Sequence, residues 1–212
     1  MNLARESTLP LAWPVPIPVQ KYRMKHVLDF VASLIALILL SPLFLTLAIL
    51  IKLSSPGPVF YSQKRIGRGG KPFTIYKFRS MYQDAEKNGP QLSHPADDRC
   101  TPIGKIMRRL GIDELPQLWN VLTGDMSIIG PRPEREYYVR QIIKRNPLFC
   151  HLLKVRPGIT SLGQVYYGYA SNIDQMTKRL RFDLLYIENL SMWLDFKIGC
   201  ATIMTVLQGR NI

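Results

Sequence analysis

The longest apolar stretch of the chain runs from Phe30 to Ile51 without a charged side chain. As a straight helix, Val27 to Leu53 would extend roughly 40 Å, more than the roughly 30 Å of a bilayer's hydrocarbon core. Its flanks argue against a crossing. Lys21, Arg23, Lys25 and His26 precede it, and Lys52, Lys64, Arg65, Arg68, Lys71, Lys77 and Arg79 follow, with no acidic residue until Asp84. By the positive-inside rule both ends face the cytoplasm, so the segment must turn back. Ser41-Pro42 is where it would do so. Pro42 lacks a backbone donor and presses on the carbonyl of Ile38, and the Ser41 hydroxyl can donate to a carbonyl that the kink exposes. The two arms, about fourteen and eleven residues, are each too short to cross. A kinked single-pass helix is the competing reading.

Beyond the apolar run the pattern shortens. "SSPGPVF", Ser54 to Phe60, has the Pro and Gly density of a loop. "PVFYSQKRIG" and "KPFTIYKFRSM" flank Arg68 to Gly70 and predict a β-hairpin whose glycines supply the turn. Tyr76 and Phe78 then share one face, and Lys77 and Arg79 the other, where they could meet an anion. "GRGGK" lacks the spacing of a nucleotide-binding loop and reads as a turn. Asp84 to Arg99 is polar and irregular. Helices are predicted over Pro102 to about Gly111, over Asp113 to Leu122 with Leu115, Leu118, Trp119 and Leu122 on the buried face, over Glu134 to Lys144, and over Ile173 to Asn189 capped by Ser171 or Asn172. "SIIGPRP", Ser127 to Pro133, reads as a loop. Met192 to Leu207 is either a core helix or an interfacial one anchored by Trp193.

Length and composition bound the function. The 212 residues, 47% hydrophobic, suffice for one catalytic or binding unit plus a membrane element. A net charge of +13 selects anionic partners: nucleic acid, acidic lipid or phosphorylated small molecules. Cys100, Cys150 and Cys200 are widely spaced, as are His26, His94 and His151, so no short-range metal or disulfide framework is visible. Residues 1–20 contain four prolines between Leu9 and Gln20 and form a lead-in that no continuous helix can traverse. The remaining divisions expected are 21–53, the re-entrant segment, and 54–212, a cytoplasmic domain that carries the catalytic or binding unit.

Asp113 and Glu114 are adjacent acids at a predicted helix N-terminus, just after Lys105, Arg108 and Arg109. Capping and the helix dipole account for both acids structurally. The same position keeps Asp113 ionised and offers nearby anions free backbone donors. Such a carboxylate could hold a divalent cation or attack a phosphorus atom.

The run "GIDELPQLWNVLTGDMSIIGPRP" (Gly111 to Pro133), with "IYKFRSM" upstream, "KVRPGIT" (Lys154 to Thr160) downstream and the apolar hairpin ahead, resembles the monotopic phosphoglycosyl transferases. These bacterial sugar transferases initiate glycan assembly on polyprenyl phosphate. The resemblance extends from about Lys21 onward and is to the small, catalytic-domain-only kind. It implies a mainly α fold with a small β-hairpin, a re-entrant helix bent at Ser41 and Pro42, and interfacial amphipathic helices on the cytoplasmic face of the bacterial inner membrane. It implies that Asp113 attacks the β-phosphate of a UDP-sugar, releasing UMP, and that undecaprenyl phosphate resolves the covalent phosphosugar intermediate. Mg2+ is implied as cofactor with Asp113 as its ligand, and Glu114 as the supporting acid.

Charge developing on the phosphates calls for fixed cations, and Lys77, Arg79, Arg132 and Arg156 lie in or beside the matched motifs. Arg132 sits between two prolines, which lowers the entropy cost of aiming its fork at phosphate. The partners implied are a UDP-sugar, undecaprenyl phosphate and the bilayer, not nucleic acid; homo-oligomer formation is left open. Two departures stand out: Ser161-Leu162-Gly163-Gln164 follows "RPGIT" where many relatives have Gly-Trp-Ala-Gln, and Gly111-Ile112 precedes the acids where many have Ser-Leu. Sugar identity therefore does not transfer. An alternative is a membrane-anchored basic module binding acidic lipid or nucleic acid without catalysis; the basic stretch Lys64 to Arg79 favours it, but the acid pair and Gly-Pro-Arg-Pro would go unexplained. A single-pass enzyme with its domain outside the cytoplasm is a third.

Overall fold

A computed structural model describes residues 19–208 except 88, 90, 93–96 and 169. The proline-rich lead-in lies almost wholly outside the described residues. The architecture is mainly helical, with two small two-stranded sheets.

Helix α1 (Val19–Leu39) and helix α2 (Ser41–Ser54) form the apolar pair, bent by 61°. Ser41 Oγ donates to the Ile38 carbonyl at 2.8 Å, and Pro42 occupies the first turn of α2, where a missing N–H costs little. Among the described residues no single helix is long and apolar enough to cross a membrane. α1 is longer than the predicted arm because its first turns belong to the globular body. Lys25 Nζ lies 2.8 Å from Asp195 and 3.6 Å from Asp29, Asp29 accepts from Ser127 Oγ at 2.6 Å, and the Tyr186 hydroxyl donates to Asp195 at 2.8 Å. All five side chains are buried. Such a network adds little net stability but fixes register, since any other seating would leave a buried charge unpaired.

The hairpin forms as expected: β1 (Phe60–Ile66) pairs antiparallel with β2 (Pro72–Phe78), Ile66 facing Pro72, around Gly69 and Gly70 at φ 72° and 73°. Phe78 is buried with Leu47 and Ile51 of α2 and Met107 of α3 (Pro102–Arg109), which docks the second arm on the domain. Thr101 caps α3, accepting from the Gly104 N–H at 3.0 Å. Gly104 lies so close to the Ser80 backbone that a Cβ there would sit 1.9 Å from the carbonyl oxygen.

Helix α4 (Gln117–Leu122) starts later than predicted. Pro116 has no N–H to give the Ile112 carbonyl, so Ile112–Glu114 closes as a 3-10 turn in which Leu115 N donates to Ile112 O. The shift rotates the helix. Leu118 and Val121 are buried with Gln117 and Asn120, whereas Trp119, expected on the inner face, is 55% exposed. The Asn120 amide replaces a missing neighbour for β2, accepting from Tyr76 N at 3.1 Å and donating to Thr74 O at 2.7 Å.

"SIIGPRP" is not all loop. β3 (Ser127–Ile129) runs parallel to β4 (Gly158–Thr160), and the ladder continues through Gly130 N to Thr160 O at 3.1 Å and Gly158 N to Pro131 O at 2.9 Å. Gly130 and Gly158 pack back to back: a Cβ on Gly158 would stand 2.1 Å from Gly130 N. That close approach explains the glycine in each motif, and three-residue strands are too short to display a period. The main core gathers α5 (Glu136–Arg145), the 3-10 segment Pro147–Lys154 and α7 (Ile173–Glu188), capped by Asn172, around Val139, Ile142, Leu180 and Tyr186. The short α6 (Leu162–Tyr167) packs on α7. α8 (Met192–Leu207) is no all-round core helix: Asp195 and Ile198 are buried, while Trp193, Phe196, Ile203, Met204 and Leu207 face outward.

Candidate active site

β2, the Ile112–Glu114 turn and the segment after β3 converge on a cavity of about 810 Å³. Lys77 reaches it because β2 alternates its side chains: Phe78 goes into the core, and Lys77 points the opposite way. Gly111, at φ 66°, turns the chain out of α3 and sets Asp113 and Glu114 at the cavity wall. Arg132 arrives from the far side, its backbone held by two prolines and by the β3–β4 ladder.

The two acids differ sharply. Glu114 Oε1 accepts from Lys77 Nζ at 2.5 Å and from Arg132 Nη2 at 2.9 Å. Burial works to raise its pKa, but the Arg132 and Lys77 charges and hydrogen bonds outweigh that and hold the carboxyl far below the usual range. Glu114 is thus a fixed anion that parks two cations. Asp113 is buried and lines the same cavity. Burial pushes its carboxyl up; Lys77 opposes this, the Glu114 charge adds to it, and Arg108 and Arg132 pull down. The sequence-based picture of a helix N-terminus keeping Asp113 ionised does not hold, because no α-helix begins there: the 3-10 turn spends the Glu114 and Leu115 N–H groups on Gly111 and Ile112 carbonyls. A raised carboxyl is the more basic and the stronger nucleophile once ionised.

The structure brings Lys77, Asp113, Glu114 and Arg132 together. Arg79 also lines the cavity, but its guanidinium donates to the carbonyls of Ser55 and Pro56, each at 2.6 Å, and of Ile51 at 3.4 Å, so it caps the end of α2. Arg156 stands apart, its N–H donating to the Tyr22 hydroxyl at the base of α1 and its guanidinium over Gly124. Ser41 and Pro42 form the bend. Residues that the sequence did not single out complete the wall: Arg65 and Arg179 hold Glu134, at 3.5 and 2.5 Å, and Arg135 bonds Glu86 at 2.6 Å. Their partners lie 45 to 69 positions away, so no local pattern announced them. Among the described residues no cluster of three or more metal-ligating side chains exists. Asp113 alone offers a hard oxygen donor at the cavity wall, the kind of carboxylate that holds Mg2+ alongside substrate phosphates.

The bacterial sugar transferase model matches residues 20–209, and the chain belongs to that family. It is 47% identical over 195 residues, 92% of this chain and 46% of the relative, to a UDP-N-acetylgalactosamine-undecaprenyl-phosphate N-acetylgalactosaminephosphotransferase of Aeromonas hydrophila. A UDP-glucose:undecaprenyl-phosphate glucose-1-phosphate transferase of Caulobacter vibrioides is 41% identical over 191 residues, 88% of this chain and 71% of its own length. A putative undecaprenyl-phosphate N-acetylgalactosaminyl 1-phosphate transferase of Bacillus subtilis is 44% identical over 156 residues, 72% of this chain and 87% of its own. The chain thus spans about half the length of the Aeromonas relative.

Proposed function

We propose that the protein transfers a phosphosugar from a UDP-sugar to undecaprenyl phosphate through a covalent aspartyl intermediate. The observation that carries this reading is the asymmetry of the acid pair: one carboxylate raised in pKa at a cavity wall, the other locked between two cations. An ionised Asp113 oxygen attacks the β-phosphorus; the bond to the bridging oxygen breaks, and UMP leaves with its electron pair. An oxygen of undecaprenyl phosphate then attacks the same phosphorus, and the bond to Asp113 breaks to return the carboxylate. Lys77 and Arg132, pre-positioned by Glu114, stabilise the charge that builds on the phosphate oxygens without reorganising at the moment of reaction. Mg2+, held by Asp113 and the diphosphate, would neutralise charge on the donor and favour the leaving group.

The second substrate carries its phosphate at the headgroup plane, and the bent helix pair with its exposed apolar side chains supports seating in one leaflet of the cytoplasmic membrane, residues 21–53 reversing and 54–212 forming the catalytic domain. The outward apolar face of α8, with Trp193 and Phe196 stacked, suits the same interface. The test is UMP release from UDP-sugars in the presence of undecaprenyl phosphate, with mass spectrometry of the quenched enzyme. We expect Mg2+-dependent release, loss in Asp113→Asn, and a phosphosugar adduct on the peptide containing Asp113. Ordinary turnover by Asp113→Asn would overturn the mechanism.

A further inference from the structure

Glu134, the residue after Gly-Pro-Arg-Pro, is 5% exposed and sits between arginines from two other elements. Arg179 of α7 donates from Nη2 to its Oε1 at 2.5 Å, and Arg65 near the end of β1 brings Nη1 to 3.5 Å from its Oε2. Withdrawing such charges from water offsets most of what their attraction returns, so stability is a weak reason for the cluster. Its geometry supplies another. Arg65 Nη1 also donates to the Pro133 carbonyl at 3.3 Å, and the Ile66 N–H donates to the Glu134 carbonyl at 3.0 Å. Carboxylate, guanidinium and backbone together sew the segment that carries Arg132 onto β1.

β1 is in turn the partner of β2, with Tyr61 opposite Lys77. The seam therefore joins the carriers of the two cations that share Glu114 Oε1. Upstream of Arg132 the chain is fixed independently, through Gly158 N to Pro131 O at 2.9 Å. The far jaw of the clamp is rigid as well: Arg179 packs so tightly on α6 that a Cβ on Gly163 would come within 2.7 Å of its Cγ. Charge matters here as much as shape. Arg65 disfavours the charged form of Lys77, Arg132 disfavours that of Arg65, and Glu134 is the strongest influence favouring a charged Arg65. A neutral side chain at position 134 would leave Arg65 and Arg179 without that counter-charge, and Arg65 would repel Arg132 from its seat.

We propose that Glu134 is a positioning residue: by clamping Arg65 and Arg179 it fixes Arg132 opposite Lys77, and so sets the spacing of the two cations offered to the donor's diphosphate. What those cations do rests on the reading of the cavity as a phosphosugar transferase site; how they are seated does not. Preorganised charges stabilise a transition state only while they stay in place, so loosening one of them lowers the rate although every group that meets the substrate is still present.

The test uses the full chain in detergent or nanodiscs. The variants are Glu134→Gln, which keeps the shape and removes the charge, Glu134→Asp, which keeps the charge and shortens the arm, Arg132→Met, and each change at 134 combined with Arg132→Met. UMP release from UDP-glucose, UDP-N-acetylglucosamine and UDP-N-acetylgalactosamine is followed with thermal unfolding. Without any ligand, the Glu114 carboxyl is titrated by carbon NMR on glutamate-labelled protein, its signal assigned by its loss in Glu114→Gln. For Glu134→Gln we expect kcat/KM down by about 20-fold, and no further loss beyond about twofold when the change is made in Arg132→Met, because a residue that acts through Arg132 has nothing left to position. Glu134→Asp should lose less and show the same dependence on Arg132, so the cycle can be closed even if Glu134→Gln does not fold. The Glu114 titration should move up in Glu134→Gln, as in Arg132→Met, since Arg132 is the strongest influence holding that carboxyl down. Losses that multiply in the double variants, or a Glu114 titration left in place, would overturn the proposal. A lowered Tm with kcat/KM intact would make Glu134 structural and overturn it too. Should the native chain release no UMP from any donor, the catalytic reading fails by itself, and the Glu114 titration still decides whether Glu134 seats Arg132.

Discussion

Gly104 and Gly199 both lie inside helices, and by propensity alone replacing either with alanine should stabilise the protein by about 1 kcal/mol. The structure predicts opposite signs. At Gly199 a Cβ would meet Ile129 Cδ1 at 3.8 Å, an ordinary contact, so Gly199→Ala should gain the full propensity term. At Gly104 the new methyl would lie 1.9 Å from the Ser80 carbonyl oxygen and 2.6 Å from its carbon, so α3 must back away by about 1 Å or more before the contact becomes tolerable. Overpacking of this kind costs about 1–3 kcal/mol, and the Thr101 N–H to Ser80 O bond of 3.0 Å, stretched by the same movement, forfeits about 1 kcal/mol more. Offset by the propensity gain, the net loss is about 1–3 kcal/mol, or a Tm lower by roughly 2–12 °C for a chain of this size. Because α3 leads through Gly111 into Asp113, the displacement also moves the carboxylate proposed as nucleophile, and misplacement of about 1 Å can cost about 100-fold in rate. Thermal melts of the two variants, paired with UMP release, check this. A Gly104→Ala enzyme as stable and active as Gly199→Ala would refute the claim that α3 is pressed against the backbone at Ser80.

Three further outcomes follow from the charged groups. In Glu114→Gln the acid limb of the UMP-release profile should move to lower pH, because the charge that helps raise Asp113 is gone, while kcat falls as Lys77 and Arg132 lose their common anchor; an unmoved or raised limb would contradict the assigned electrostatics. Arg79→Met strands the carbonyls of Ile51, Ser55 and Pro56, which should cost about 2–4 kcal/mol and lower Tm by several degrees with little change in kcat; a collapse of kcat at unchanged Tm would instead return Arg79 to phosphate binding. Burial pushes Asp183 up from 3.8 to about 6 against the pull of Arg179. The native state thus keeps a proton that the unfolded chain releases, and this group's stabilisation, complete below about pH 4, fades as pH rises through 6, a difference on the order of 3 kcal/mol. Asp183→Asn should flatten the decline of Tm between pH 4 and 7, and an unchanged slope would exclude Asp183 as its source.

Local chemistry was legible wherever a few neighbouring residues decide the outcome. The break at Ser41-Pro42, the hairpin turning at Gly69 and Gly70, and the Asn172 cap of α7 each follow from side chains within four positions of the backbone they direct. Even the late start of α4 was encoded nearby, in the missing N–H of Pro116, though hydrophobic spacing drew attention to Trp119 instead.

By itself, then, the sequence determined the apolar hairpin with its break, most of the helices, and the acid pair with its family resemblance. Only the tertiary structure decided which carboxyl is free and which is clamped, that Arg79 caps a helix, and that Gly130 must meet Gly158. The reason is range. Propensity, capping and periodicity act over a turn or two, whereas a buried charge or amide is satisfied by whatever the fold brings beside it, as Lys25 finds Asp195 from 170 residues away.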